Sequence, residues 1–239
     1  MLNFDHRSHE QELMDDLDCS GEVVIQTLKE LDYINRKLGG NYISIQSLAR
    51  LIPKNHTEEV SIIDLGCGGG DILIEMAQWA RKKNIKLQLL GIDANPTIID
   101  YARGNCRGYP EISFEVINIW SDEFSARKFD IYHSSLFTHH FTEVELVKLF
   151  GICYGNCSLG IIDNDLQRHW FAYYSIKWLT GLFSSSKMVQ NDAAVSVQRG
   201  FHRAELVSIL QKAGIEQFKI DWCWAFRWQV VINKLKMEN

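Results

Sequence analysis

The feature that most constrains the fold of this chain is a glycine-rich loop placed directly after a short apolar run. The loop reads Asp64-Leu65-Gly66-Cys67-Gly68-Gly69-Gly70 and follows a strand predicted at Ser61 to Leu65. Glycine is favoured where a tight turn needs a positive φ angle or where a ligand approaches the backbone closely. The loop is therefore expected to form one wall of a ligand site at the carboxyl end of a strand.

The spacing of the glycines disfavours two common phosphate-binding loops. A dinucleotide fingerprint that begins at Gly66 needs a small residue at position 71, where this chain has Asp71. A Walker loop would need Gly-Lys-Ser/Thr at positions 71–73, where Asp-Ile-Leu stands. Asp64 would repel a phosphate and attract a cation. These residues favour a cationic adenosine cofactor such as S-adenosylmethionine, which carries an ammonium and a sulfonium group.

Polar side chains also end the next two predicted strands. Asp93 follows the strand Leu87 to Ile92, and Asn118 follows the strand Ile112 to Ile117. A carboxylate at the first position can accept both ribose hydroxyls, and an amide at the second can pair with an adenine edge. Any one of these residues alone would more simply cap a helix or make a turn, but their recurrence at successive strand ends favours a cofactor site.

Short apolar runs alternate with helical patterns from Val60 onward, which is typical of a parallel sheet with helical crossovers. The remaining strands are predicted at Phe129 to His133, Leu159 to Asp163, Gln217 to Trp222 and Arg227 to Leu235. The last two are separated by about four residues, which predicts an antiparallel hairpin. The fold class is therefore α/β, with a mostly parallel seven-stranded sheet, an antiparallel C-terminal hairpin and helices on both faces. This is the order of Rossmann-like methyltransferases rather than of dinucleotide dehydrogenases.

The chain divides into a helical cover segment, residues 1–59, and a cofactor-binding core, residues 60–239, with a lid-like, irregular insertion at about 165–200. Asn95 and Pro96 are expected to start one core helix, and Thr142 with Glu145 to form the capping box of another. The ring-rich stretch from Trp170 to Phe183 is most simply a helix buried against the core. The alternatives are a lid over an apolar acceptor or a helix on a membrane surface.

The amino-acid composition limits the kinds of partner and the cellular environment that we expect for this protein. The formal net charge of −5 gives no general attraction for nucleic acid. Six cysteines without a CxxC pair fit neither a disulfide framework nor a zinc site and suit a reducing cytoplasm. We expect no secretory signal in the acidic amino terminus and no stable membrane insertion, because the longest apolar stretch is too short and is interrupted by Lys177. Oligomeric state is left open.

Three segments carry a resemblance to a known family: Ile63 to Asp71, Gly91 to Asp93, and Phe129 to His140. They resemble class I S-adenosylmethionine-dependent methyltransferases of the ubiquinone/menaquinone-biosynthesis-like (methyltransferase type 11) superfamily. Further segments resemble a bacterial subgroup associated with polyketide or aromatic secondary metabolism: Ile34 to Gly40, Asn164 to Arg168, and Ser196 to Phe201.

The resemblance implies that Asp64, Gly66 and Gly68 hold the methionine end of S-adenosylmethionine. It also implies that Asp93 holds the ribose and that Asn118 and Ile119 frame the adenine, although Asp is commoner than Asn in that position. Three neighbours complete the expected cofactor site: Cys67, Ala94 and Ser134. The implied reaction is methylation of a small molecule, with an aromatic, phenolic or quinone-like lipophilic acceptor as our hypothesis.

Methyl transfer chiefly requires alignment of the reacting atoms and exclusion of water, and a base helps only with an acidic acceptor. His139 and His140, just past the fourth strand, are the candidate bases, with a structural role for the pair about as good an interpretation. Arg168, Trp170 and Tyr174 are the candidate acceptor contacts. We expect no metal site, because adjacent histidines in an extended loop point in opposite directions and the sequence places no third ligand.

Two other functions compete with this interpretation. A non-catalytic regulatory module could keep the S-adenosylmethionine-binding fold, because a fold does not prove turnover. An NAD-dependent reductase is the other, and the residue at position 71 and the C-terminal hairpin count against it. Methylation of nucleic acid bases is disfavoured because Ser134-Ser135-Leu136-Phe137 stands where an Asn/Asp-Pro-Pro-aromatic motif would be expected.

Overall fold

The structure, a computed structural model, describes residues 3–17, 19–53 and 56–235. The predicted cover segment and core therefore each include a few residues outside the described ranges. The strands are β1 (Val60–Leu65), β2 (Leu87–Asp93), β3 (Ile112–Val116), β4 (Phe129–Ser135), β5 (Cys157–Leu166), β6 (Lys219–Cys223) and β7 (Arg227–Asn233). The helices are α1 (Glu22–Lys37), α2 (Gly40–Leu51), α3 (Asp71–Lys83), α4 (Pro96–Asn105), α5 (Asp122–Ser125), α6 (Glu143–Asn156), α7 (Trp170–Phe183), α8 (Lys187–Arg199) and α9 (Arg203–Lys212).

These strands form one sheet in the order β3-β2-β1-β4-β5-β7-β6. The pairs from β3 to β5 are parallel, whereas β7 is antiparallel to both β5 and β6. The predicted fold class is confirmed, including the hairpin at the sheet edge. Strand order reverses between β1 and β4, and in open α/β sheets ligands bind at such a switch point, beyond the carboxyl ends of the strands.

The sheet is covered on both faces, which explains why its central strands are almost continuously apolar. On one face, α6 and α9 pack against the sheet around Phe124, Tyr132 and Leu210, all fully buried. On the other face, α2 and α3 pack around Leu48 and Met76, which are also fully buried. The two apolar layers hold the strand ends in fixed relative positions.

The predicted helix starts in the core are confirmed. The Asn95 side chain accepts hydrogen bonds from the backbone N–H groups of Thr97 and Ile98, and Pro96 occupies the first helical position of α4. Thr142 and Glu145 form the capping box of α6. Both caps lie just after strand ends, so they fix where the loops of the candidate site leave the sheet.

The insertion at 165–200 is helical for most of its length. The helix predicted from Trp170 to Phe183 is confirmed as α7, whereas α8 lies in a part that was expected to be irregular; the two helices pack against each other as a hairpin after β5. The side chain of His169 accepts a hydrogen bond from the backbone of Phe171 at the start of α7, and Ser186 does the same for Val189 in α8. Within the described part of the chain, no helix is both long and apolar enough to cross a membrane.

Candidate functional site

A cavity of about 750 Å³ opens where the strand order reverses between β1 and β4, beyond the carboxyl ends of the parallel strands. Its floor comes from the loops after the first four strands. Its walls come from the amino-terminal segment, α1 and the α7–α8 hairpin. Residues of the floor include Gly66, Cys67, Gly68, Asp93, Ala94, Asn118, Ile119, Ser135 and Phe137.

The glycine loop has the conformation that its sequence requires. Gly66 and Gly68 have φ angles of 64° and 51°, in the left-handed region. A Cβ at Gly66 would lie 2.1 Å from the ring of Phe137, so the turn can pack only with glycine there. A Cβ at Gly68 would meet only Leu28 at 3.6 Å, so the backbone at Gly68 faces open space in the cavity. This arrangement lets a ligand lie directly against the loop backbone.

Asp93 ends β2 and lines the cavity. One carboxylate oxygen, Oδ1, accepts a hydrogen bond from the backbone N–H of Asn95 at 2.9 Å. Burial raises the pKa of this carboxyl above its usual value. The group is therefore oriented and partly desolvated, which suits an acceptor for ligand hydroxyls.

Asn118 and Ile119 lie beside the cavity beyond β3. The Asn118 side-chain oxygen accepts a hydrogen bond from the backbone of Trp120 at 2.9 Å, which fixes the direction of the amide. Its NH2 group can donate two hydrogen bonds. Ile119 is only 6% exposed and supplies an apolar surface next to it. A flat ring with a polar edge would fit between the two side chains.

Asp64 belongs to a buried polar network that the sequence did not reveal. Its Oδ1 is 2.6 Å from Nδ1 of His133 on β4, and Nε2 of His133 is 2.9 Å from the hydroxyl of Ser44 on α2. No sequence pattern indicates this contact, because His133 is indistinguishable in sequence from the other residues of a buried strand. Asp64 still lines the cavity, so the network holds its carboxylate in place below the glycine loop.

Ser134 is the one expected cofactor contact that the structure places elsewhere. It is 3% exposed, and its hydroxyl donates a hydrogen bond to Asp163 at 2.8 Å. The next residue, Ser135, lines the cavity instead. The alternation of side chains along a strand accounts for the difference, because neighbouring residues point to opposite faces.

The expected geometry of the histidine pair is also wrong. Thr138 to His140 form a turn of 3-10 helix, not an extended loop. The two imidazole rings lie on the same side, with centroids 4.3 Å apart and ring planes at 31°. Arg199 stabilises the turn by donating hydrogen bonds to the backbone oxygens of both histidines. The expectation of no metal site assumed that the two histidines point in opposite directions, and the structure does not show that arrangement.

The two histidines differ in environment. His139 is 2% exposed, and its Nδ1 is 2.7 Å from Oδ1 of Asp165. Burial lowers the pKa of His139, but Asp165 and Glu12 outweigh it and raise the pKa to about 10. His140 is more exposed, and its Nδ1 is 2.6 Å from Oδ1 of Asp15. His139 therefore keeps its proton near neutral pH and is poorly suited to act as a base.

The expected acceptor contacts are corrected by the structure. Arg168 is fully buried, where it pairs with Glu205 at 2.7 Å and donates to backbone oxygens, so it supports the fold. Trp170 and Tyr174 are 56% and 54% exposed on the outer face of α7. The cavity is lined by other residues of the same helix: Phe171, Ala172, Ser175, Ile176 and Leu179. Aromatic content identified the helix but not the face that it turns inward.

Several residues from segments distant in sequence also reach the cavity, and none of them was predicted from the sequence. Glu12 and Asp15 approach from the amino-terminal segment, and Asp192, Ser196 and Arg199 approach from α8. No periodic pattern marks these residues, because they lie in a short irregular segment and on a largely polar helix.

The strand order, the glycine loop after β1 and the acid after β2 define the Rossmann-like methyltransferase fold. Residues 56–152 match a family model described as a methyltransferase domain. No curated protein sequence matches the chain.

Many solved structures share the fold. Human N-acetylserotonin methyltransferase in complex with SAM is 17% identical, with a TM-score of 0.61 over 88% of this chain and 55% of that chain. A SAM-dependent methyltransferase from Aquifex aeolicus is 13% identical, with a TM-score of 0.61 over 89% and 98% of the two chains. The plantazolicin methyltransferase BpumL, in complex with an analog and SAH, is 15% identical, with a TM-score of 0.62 over 88% and 96%. The chain spans between 51% and 59% of the first three similar structures. At these identities the similarity shows the fold.

Proposed function

We propose that the protein transfers a methyl group from S-adenosylmethionine to a small lipophilic acceptor, aromatic, phenolic or quinone-like, on oxygen or carbon. The observation that carries this proposal is the continuous cavity that runs from the glycine loop and Asp93 to an apolar chamber under α7 and α8. One end has the polar groups for an adenosine cofactor. The other end has the space and the apolar walls for an acceptor.

The fit to the cofactor is supported residue by residue. The loop at Gly66 and Gly68 leaves backbone exposed to the cavity, and Asp64 is held beneath it, so this end would take the methionine moiety. Asp93 would accept the ribose hydroxyls, and Asn118 would pair with the adenine edge. Cys67, Ala94 and Ile119 lie along the same wall and would fill the space between these contacts. Bound S-adenosylmethionine would supply an electrophilic methyl group on a positively charged sulfur.

The acceptor end is mainly apolar. Phe137, Phe141 and Trp120 line it from the core, and Ile176 and Leu179 line it from α7. Such walls exclude water and favour a flat, lipophilic molecule held against the cofactor. The similar structures include enzymes named for N-acetylserotonin, magnesium protoporphyrin IX and plantazolicin. These acceptors differ greatly in size, so the similar structures do not indicate one kind of acceptor. The proposed acceptor class rests on the chemistry of this cavity.

The cover elements would control access to the chamber. We assign this role to the amino-terminal segment within residues 1–59 and to the insertion within residues 165–200, since both contribute walls of the cavity. His139 and His140 lie at the junction of these elements with the core. If the acceptor carries an acidic proton, His140 is the better placed of the two to receive it.

A non-catalytic regulatory module is the competing proposal, because it would need the same cofactor contacts. The apolar chamber next to the cofactor end favours the enzyme, since a module that only senses the cofactor has no need of a second compartment. A dinucleotide reductase is less well supported, because Asp71 stands where the fingerprint needs a small residue.

Isotope labelling separates these functions. The protein would be incubated with S-adenosylmethionine carrying a labelled methyl group and with a fractionated extract of its source organism, and the products analysed by mass spectrometry. We expect the label in a small lipophilic compound. Tight cofactor binding with no labelled product in any fraction would favour the regulatory module.

A further inference from the structure

Three potential metal ligands meet on the wall of the cavity. Glu12, His139 and His140 each offer one ligand atom, and these atoms all lie within 4.8 Å of one another. Nε2 of His139 is 3.2 Å from Oε1 of Glu12, and Nε2 of His140 is 3.9 Å from Oε2 of Glu12. Two imidazole nitrogens and one carboxylate form a ligand set used by zinc and by non-haem iron.

Two of the converging atoms lack hydrogen-bond partners among the described residues. Oε1 of Glu12 and Nε2 of His139 are both buried and face each other without hydrogen-bonding geometry. The side chains are 6% and 2% exposed, so water does not easily satisfy them. Buried polar atoms without a partner are costly and call for an explanation, of which an ion is one.

The opposite nitrogen of each imidazole is held by a carboxylate. Nδ1 of His139 is 2.7 Å from Asp165, and Nδ1 of His140 is 2.6 Å from Asp15. Histidines that bind metals commonly donate their other ring N–H to a carboxylate, which fixes the ring and leaves Nε2 as the ligand atom. Both histidines show this arrangement, and both Nε2 atoms face Glu12.

Acidic side chains are concentrated around the cluster. Glu12, Asp15 and Asp165 surround the imidazoles, and Arg7, Arg199 and Arg227 are cationic side chains that interact with these carboxylates. Nη1 of Arg199 is 2.6 Å from Asp15 but 3.9 Å from Glu12, so it pairs mainly with the outer carboxylate. A bound cation would take the place of the proton that Asp165 and Glu12 stabilise on His139.

We propose that Glu12, His139 and His140 form a binding site for one divalent transition-metal ion of the zinc class. Metal–ligand bonds of about 2.1 Å at tetrahedral angles place neighbouring ligand atoms about 3.4 Å apart. Nε2 of His139 lies 3.2 Å from Oε1 of Glu12, close to this value, and Nε2 of His140 lies 3.9 Å from the other oxygen, Oε2, so a small side-chain adjustment would bring the three ligands around one ion. A hard cation such as Mg²⁺ prefers oxygen ligands and would bind more weakly at two imidazoles.

The metal site would share the cavity with the acceptor. All three ligands line the cavity, so a fourth coordination position can be reached from it. Resting on the proposed function, an acceptor oxygen would bind there and lose its proton more readily next to the metal. His140 would then act as a ligand instead of a base. Metal binding itself requires no transferase activity.

Calorimetry with Zn²⁺ on the full chain, treated first with a chelator, tests the proposal. We expect one zinc ion per chain in the wild type. Glu12→Gln and His140→Gln should each lower the affinity about tenfold or more, because each removes one ligand. Mg²⁺ should give no comparable binding. His9→Gln is the matched control, since His9 is exposed near the same segment and should leave zinc binding unchanged.

The opposite results would overturn the proposal: no binding of zinc to the wild type, equal affinity in both ligand variants, or loss of binding in the His9 variant. Because a ligand variant could fail to fold, the wild-type protein would also be loaded with Co²⁺. Intense visible d–d bands are expected for a four-coordinate site with nitrogen ligands, and the weak bands of hexaaqua cobalt would contradict it. Measuring S-adenosylmethionine affinity in the zinc-free protein keeps a failure of the proposed function distinguishable.

Discussion

Replacement of Asp93 by asparagine should weaken the binding of S-adenosylmethionine without lowering stability. The asparagine side chain would keep an oxygen for the 2.9 Å hydrogen bond from the Asn95 backbone. The other oxygen of the carboxylate would be replaced by an NH2 group, which cannot accept from a ribose hydroxyl. A hydrogen bond to a charged group contributes about 1.5 to 3 kcal/mol, which corresponds to an increase in Kd of about 10-fold to about 100-fold.

The loss of the negative charge in Asp93→Asn should weaken cofactor binding but should not weaken the folded state. Burial raises the pKa of Asp93, so its ionised form is disfavoured in the folded protein relative to the unfolded chain. A neutral side chain removes that cost at pH 7, which offsets the weaker hydrogen bonds from the backbone N–H groups of Gly68 and Ala94, so the unfolding temperature should stay close to that of the wild type. Reduced affinity would therefore not result from unfolding.

Isothermal titration calorimetry with S-adenosylmethionine measures the affinity, and circular dichroism measures thermal unfolding. Asp100→Asn is the control, because Asp100 is 76% exposed and pairs with Arg103 on the surface of α4. It should leave Kd unchanged. Equal affinity for the wild type and Asp93→Asn, or an equal loss in the control, would refute the assignment of Asp93 to the ribose.

Three further changes test the account. Gly66→Ala should abolish cofactor binding or lower the unfolding temperature, because the Cβ would lie 2.1 Å from Phe137 at a φ of 64°. Ile176→Ala should raise the Michaelis constant for the acceptor with cofactor affinity retained, whereas Tyr174→Ala should leave the Michaelis constant unchanged, since only Ile176 lines the cavity. Burial and Asp165 raise the pKa of Asp163 to about 8, so the folded state keeps a proton that the unfolded chain releases near pH 4. Stability should therefore fall between about pH 4 and pH 8, and Asp163→Asn should reduce this fall in denaturant titrations; identical slopes for both proteins would contradict it.

Local patterns account for the part of the fold that could be predicted. The central strands are short apolar runs, and Asp64, Asp93 and Asn118 each stand where a run stops. The parallel register then brings those ends to one edge of the sheet, so the proposed cofactor end of the cavity follows from the sequence. The sequence does not predict helix α8, because most of its residues are polar or small and form no clear apolar stripe. The helix is stabilised by its packing against α7.

The proposed acceptor end of the cavity depends on contacts between distant residues that no local sequence pattern encodes. Glu12 contacts His139 although the two residues lie far apart in the chain, and a turn of 3-10 helix brings the rings of His139 and His140 to the same side. The direction of α7 is set by its packing, which turns Ile176 inward and Trp170 outward. Arg168 can be buried because Glu205 and backbone oxygens accept the hydrogen bonds of its guanidinium group. Arginine is usually exposed, so the sequence alone does not predict this burial.

The most direct test of the account is calorimetry of the wild-type protein with S-adenosylmethionine and, separately, with NADH. The cavity beyond β1 and β2 predicts saturable binding of one S-adenosylmethionine per chain and no measurable binding of NADH. Tight binding of NADH without binding of S-adenosylmethionine would contradict the central claim.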